Sequence, residues 1–128
     1  MVKEERRKYS RVQIYDPISY LSVDADGEVL EQNVAVVRNV SQTGVQIETF
    51  LPIHSEYISL MFFDLDQKQI EVKGEVIYSE RNESGQYNIG INFVGNGKEN
   101  LKFVKALVRS YHYQKEKSSM VISPGIQN

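Results

Sequence analysis

Three arginines, Arg6, Arg7 and Arg11, fall within six residues near the N-terminus, with Arg7 and Arg11 four positions apart. A guanidinium group is a planar, permanently charged fork that grips phosphate through two parallel hydrogen bonds and stacks on flat rings. Residues Lys3 to Arg11 carry five positive and two negative side chains, a local net charge of +3 in a chain whose total is −2. The rest of the chain is therefore acidic, and the asymmetry points to an anionic partner at the N-terminus. A second polar group stands further on, Asn39-Val40-Ser41-Gln42-Thr43-Gly44. Asn39 offers an amide that both accepts and donates, and Ser41 offers a short hydroxyl. Gly44 permits a positive φ and a close backbone approach. Taken singly, each group has a plainer use. A charge run is commonly a solvated arm, and Asn and Ser cap turns through their own backbone.

The chemistry these residues suggest is binding rather than catalysis. The chain has no cysteine, which removes disulfides, zinc ribbons and thiol nucleophiles. His54 and His112 are far apart, no carboxylate pair has a metal-ligand spacing, and both histidines read as structural. No Ser/His/Asp arrangement or glycine-rich phosphate loop is present. A length of 128 residues fits one domain with a core of its own. No apolar run approaches the roughly 18 residues that would span a bilayer, and the N-terminus is charged rather than apolar. A cytosolic protein without membrane insertion is the expectation.

The elements that must position these residues are mostly strands. Residues 1–11 are polar and aperiodic and read as a mobile arm. Val12 to Val23 is rich in β-branched and aromatic residues, but Pro17 cannot donate to a ladder. That strand therefore lies at an edge, carries a bulge, or begins near Ile18. Asp24-Ala25-Asp26-Gly27 is a turn, with a short strand at Glu28–Glu31 and another at Asn33–Val40. The consecutive Val34, Ala35, Val36 and Val37 suit a strand covered on both faces. Val45–Thr49, Tyr57–Phe63, a long strand from Ile70 to Tyr78, and Tyr87–Phe93 alternate apolar with polar residues. In the long strand Ile70, Val72, Gly74, Val76 and Tyr78 share one face, and Gly74 suggests a bend or bulge. From Lys98 the period changes to that of a helix running to about Lys115, with Leu101, Val104, Leu107, Val108 and Tyr111 on one side. Residues 117–128 read as a flexible tail. Six or seven short strands followed by one helix predict an all-β antiparallel barrel, over residues 12–94, capped by a helix over 98–115.

Arg7-x-x-x-Arg11 and Asn39-x-Ser41-x-x-Gly44 resemble the two signature motifs of the PilZ domain, the bacterial receptor for cyclic di-GMP. The run Glu5-Arg6-Arg7-Lys8-Tyr9-Ser10-Arg11 has the form in which the first motif is commonly written. The second motif begins with Asp or Asn in the family, here Asn39. The strand Tyr87-Asn88-Ile89-Gly90-Ile91-Asn92-Phe93 is similar to the family's strand with glycine and phenylalanine at those places. The resemblance covers about residues 4 to 113, within a domain of residues 1–116.

The resemblance implies a standalone PilZ-type barrel that binds cyclic di-GMP without chemistry, needs no cofactor or metal, and relays the signal by altered contacts with a downstream protein. Motility, surface attachment with biofilm formation, exopolysaccharide production and secretion are the family's settings. The implied ligand-binding residues are Arg6, Arg7, Arg11, Asn39, Ser41 and Gly44. The ligand is two guanosines joined by two phosphodiesters, so it presents phosphate charge, purine faces and guanine edges. Arginine serves all three, and the Asn39 amide suits a guanine edge. Arg6, just before the first motif arginine, is the position that in the family bears on whether one or two ligand molecules bind, and two are expected here. Arg38 reads as a solvated strand residue. Tyr9, Tyr15 and Tyr20 could stack on guanine, but core or surface roles account for them better. Two other readings stay open: a PilZ-like adaptor that binds a protein and no nucleotide, and a small barrel for single-stranded nucleic acid. The second of these should show a basic groove with aromatics along its strands, whereas this chain is acidic outside the arm.

Overall fold

The computed structural model describes residues 11–24 and 26–121, the last four through their backbone. Expectations for the arm at residues 1–10, including Arg6 and Arg7, and for residues 122–128 lie outside the described residues.

Six strands form a closed antiparallel barrel: β1 (Val12–Val23), β2 (Val29–Val40), β3 (Gly44–Thr49), β4 (Tyr57–Phe63), β5 (Gln69–Arg81) and β6 (Tyr87–Val94). Their order around the barrel is β1-β2-β3-β6-β5-β4, with β4 returning to pair with β1. Among the described residues a single helix, α1 (Gly97–Val121), follows. It runs on through residues 117–121, the start of the segment read as a tail.

Alternation places the core. Ile58, Leu60 and Phe62 of β4 and Ile89 and Ile91 of β6 point inward and are buried, as their period of two requires. β2 is one strand rather than two, and it too has a wet face. Ala35 and Val37 are buried, while Val34 is 65% exposed. The run Val34–Val37 is thus covered on one side only, because the barrel has an interior and the helix lies elsewhere. β1 accommodates Pro17 in two ways. A register shift between Gln13 and Asp16 bulges the strand, and pairing with β4 begins only at Ser19. Pro17 therefore sits where β1 has one strand neighbour.

Asn96 caps α1, its Oδ1 accepting from the amides of Lys98 at 2.7 Å and Glu99 at 3.3 Å. The helix packs on β1, β5 and β6. Phe103 is fully buried and meets Phe62 and Phe93 edge to face, with ring centroids 6.5 and 6.0 Å away. The buried face is centred on Asn100, Phe103, Val104, Leu107 and Ser110. Of the expected stripe, Val104 and Leu107 are buried and Val108 and Tyr111 pack against the core half-buried, but the stripe passes over Phe103. None of the described helix is long and apolar enough to cross a membrane.

Candidate ligand-binding site

The site is built on the outer face of β2, β3, β6 and β5. In an unbroken strand Asn39 would share the inward face of Val37. A register shift between Val37 and Asn39 leaves Arg38 as the extra residue, so Asn39 pairs with Gln46 on the outer face. The partner strand answers with its own bulge, and Gln13 pairs with Asn39 while Asp16 pairs with Val37. Arg11 immediately precedes β1. Its Nη1 donates to Asn39 Oδ1 at 2.6 Å, joining the two sequence motifs across 28 residues of chain. Asn39 Nδ2 donates to Gln46 Oε1 at 2.9 Å, and Gln46 Nε2 donates to the Tyr78 hydroxyl at 2.9 Å. Asn39 is 9% exposed, and its amide is used at both ends. In this state it holds Arg11 in place, with the guanidinium at the edge of the shelf.

Ser41 and Gly44 close the turn that follows. The Ser41 amide donates to the Gly44 carbonyl at 2.9 Å. Ser41 Oγ lies 3.3 Å from both the amide and the hydroxyl of Thr43, so it serves the turn itself. Gly44 does not have a positive φ; that conformation belongs to Gly27, Gly85 and Gly95. Its requirement is the close approach. A Cβ at Gly44 would overlap the Ile91 carbonyl oxygen of β6, so any side chain would push β3 away from its neighbour.

The sequence reading missed three residues of this surface. Gln46 is one. Tyr78 is another, expected inside with Val76. A register shift between Val76 and Tyr78 makes Ile77 the extra residue and turns Tyr78 outward, opposite Gly90. Gly90 is the third: a Cβ there would overlap the Tyr78 ring, so the ring rests on bare backbone. Only the alternation of Val45, Gln46 and Ile47 could have pointed to Gln46. The bulge at Ile77 has no local sequence signal, and Gly74, where one was expected, keeps its register with both neighbours.

Arg38 is not simply solvated. Its guanidinium pairs with Glu48 at 2.6 Å and lies over the Tyr15 ring, 5.5 Å from the centroid. Glu48 also accepts from Asn82 Nδ2 at 2.8 Å, and Asn82 donates to Asn88 Oδ1 at 3.1 Å. These bonds form a second polar row beside the first. Tyr20 is a core residue, buried at 2% exposure, and burial raises its pKa. Among the described residues no group of three His, Asp or Glu side chains gathers to hold a metal ion.

One titratable group lies beneath the site. Asp16 points into the barrel at 0% exposure, and neither carboxylate oxygen has a hydrogen-bond partner among the described residues. Desolvation by burial pushes its pKa up to about 6.

No curated protein matches the sequence. Solved structures share the fold at low identity. They include the inhibitor of motility MotI/DgrA of Bacillus subtilis (TM-score 0.58, 18% identity, 88% of this chain and 53% of that one). The PilZ domain of CeSA from a cellulose-synthesizing bacterium matches with a TM-score of 0.54 at 17% identity, over 77% of this chain and 95% of that one. The PilZ domain of Escherichia coli YcgR, solved with c-di-GMP, matches with a TM-score of 0.54 at 10% identity, over 89% of this chain and 98% of that one. The chain spans about half the length of the MotI structure. A family model described as the PilZ domain matches residues 5–110. With that match over most of its length, and with the barrel and helix in place, the chain belongs to the PilZ domain family.

Proposed function

We propose that this chain is a non-catalytic receptor for cyclic di-GMP, and that Arg6, Arg7 and Arg11 meet the ligand on a shelf that includes Asn39, Ser41 and Gly44. The observation that carries the reading is the bond from Arg11 to Asn39. It brings a permanent cation from the arginine motif to the exposed side of the turn motif. Phosphodiester charge is met by Arg11 and its neighbours in the motif. The Asn39 amide is available to a guanine edge once the ligand takes over its bond with Arg11. The PilZ domain of YcgR, solved with c-di-GMP, makes that ligand a reasonable first choice.

The signal leaves by order. The arm carries a local charge of +3, and ligand phosphates neutralise it and hold it against the barrel. Binding must exceed the entropy lost on ordering, on the order of 1–2 kcal/mol per residue of backbone. The receiver is a downstream protein in the bacterial cytoplasm. Motility and surface attachment are the proposed settings, in keeping with the description of MotI as an inhibitor of motility.

A filter-binding comparison of labelled cyclic di-GMP with a short single-stranded oligonucleotide tests the ligand class. Retention of the dinucleotide alone supports the receptor. Retention of the oligonucleotide alone would make the domain a nucleic-acid binder, and retention of neither would leave an adaptor. Amide exchange of residues 4 to 12 tests the relay. Protection there should rise with ligand and change little in β5.

A further inference from the structure

Charge is divided by position along this chain. Residues 12–96 carry thirteen acidic and four basic side chains, a net −9, whereas residues 97–128 carry two acidic and six basic, a net +4. Four of those six cations, Lys98, Lys102, Lys105 and Arg109, stand at spacings of four, three and four along α1. That spacing gathers them within about 60° of arc, in a stripe about 16 Å long. The stripe lies opposite the buried Asn100, Phe103, Val104, Leu107 and Ser110, and all four of its side chains are exposed. None of them makes an ion pair with a described residue. Like charges one turn apart on a helix oppose one another. A solvated face relieves that by mixing signs, and this face does not, in a chain rich in acids.

The complement to this stripe lies at the far end of the barrel. α1 covers the end where β4 and β6 finish, since Phe103 meets Phe62 and Phe93, so the stripe faces away from the barrel. The antiparallel register puts the β1–β2 turn and the start of β4 at the opposite end. A cavity of about 610 Å³ opens there, lined among others by Asp24, Leu30, Glu56 and Tyr57, with Lys73 its one lysine. Asp26 and Glu28 are exposed in the adjoining turn, Leu30 is 60% exposed, and Glu56 makes no ion pair with a described residue. We propose that a second copy of this chain seats its α1 stripe on this end, so that barrels stack end to end. A lysine suits the cavity, its stem along Leu30 and Tyr57 and its ammonium at Glu56 and Asp24. Two different surfaces meet, so the contact is heterologous and extends past a dimer unless the rotation closes a ring. Exposed charge pairs dominate it, which makes the association weak and sensitive to salt. A foreign polyanion is the competing occupant of the stripe, but this chain holds both halves of the complement. The inference does not depend on the receptor reading.

Sedimentation velocity of the full chain, over a concentration series at low and high salt, tests the stacking. The unmodified protein should grow in average size with concentration at low salt. It should return to the monomer at about 1 M salt, where the screening length is about 3 Å. Neutralising the stripe with Lys102→Gln and Lys105→Gln should weaken association about tenfold, and so should Asp26→Asn with Glu56→Gln at the other end. All four side chains are exposed, so melting temperatures should be nearly unchanged. Each double variant keeps one end intact, so a mixture of the two should form a one-to-one pair and nothing longer. An unmodified protein that stays monomeric at low salt would overturn the proposal, as would association that ignores both sets of changes or a mixture that fails to pair. Binding of a short oligonucleotide or of phosphatidylserine vesicles by a protein that remains monomeric, lost on neutralising the stripe, would also overturn it and give the stripe to a foreign polyanion.

Discussion

Two outer faces of one barrel differ in how their strands present side chains. The face made by β2, β3, β6 and β5 carries two hydrogen-bonded polar rows, with Arg11, Asn39, Gln46 and Tyr78 in one and Arg38, Glu48, Asn82 and Asn88 in the next. The face made by β2, β1 and β4 is apolar and open. Val34 and Phe63 are exposed there beside Pro17, Ser19 and Met61, which line a shallow groove. The β1–β4 ladder of that face keeps its register, as does β4–β5, and its β1–β2 ladder shifts only near its two ends, between Gln13 and Asp16 and between Ser22 and Val23. On the polar face bulges interrupt β2 and β5. Regular alternation sorts residues by burial alone, whereas a bulge places a chosen residue where the period would not. The second pattern is what a binding surface requires.

The largest effect should come from the end of the polar row. Arg11→Ala removes a charge-assisted contact, worth about 1.5–3 kcal/mol, or roughly one to two decades in affinity for cyclic di-GMP. Circular dichroism and the melting temperature should be nearly unchanged, because Arg11 lies outside the core. A variant as tight as the parent would place the ligand elsewhere.

Asn39→Ala should act on both properties. It frees Arg11 and leaves Gln46 Oε1 without its donor, so affinity falls by about tenfold and stability by about 1 kcal/mol. Preference for guanine over adenine cyclic dinucleotides should narrow too, measured by competition. If selectivity stays while affinity falls, Asn39 serves only to hold Arg11.

Asp16, on β1, points into the barrel interior behind both faces and sharpens the comparison through pH. Its folded-state pKa of about 6 stands above the value of 3.8 for an unperturbed Asp, so the native state prefers the protonated form. That preference supports the fold fully below pH 3.8 and is lost as pH rises through 6. Asp16→Asn removes the ionisation and should therefore be more stable than the parent at pH 7.5, with the difference shrinking toward pH 5. Urea midpoints at the two pH values report it. A parent midpoint that does not rise on acidification across this window would show that the carboxylate is solvated.

The smallest effect belongs to the apolar face. Val34→Asn should change stability by no more than about 0.5 kcal/mol, because the side chain is already in water. Affinity for the dinucleotide should be unaltered. A loss of binding there would mean that the two faces are coupled through β2.

What the sequence made legible follows the same division. The inward residues of β3, β4 and β6 were readable because their strands keep period, and the helix was readable from the change in period after Gly97. Arg11, Asn39, Ser41 and Gly44 stood out as motifs, but their contacts did not. The outward turn of Asn39 and Tyr78 depends on extra residues at Arg38 and Ile77, which no glycine or proline marks. Phe103 escaped the helical stripe because the barrel mouth accepts a ring one position before Val104. Asp16 escaped for a different reason: a charged residue type gives no sign of a buried position.

The central claim is that the row beginning at Arg11 binds a cyclic dinucleotide. Calorimetric titration of the unmodified protein and of the Arg11→Ala variant with cyclic di-GMP, under identical salt, tests it most directly. The account predicts saturable binding by the first, with an end point of two ligands per chain, and a titration weakened by at least about tenfold in the second. Absence of heat from the unmodified protein, or matching affinities for the two, would contradict it.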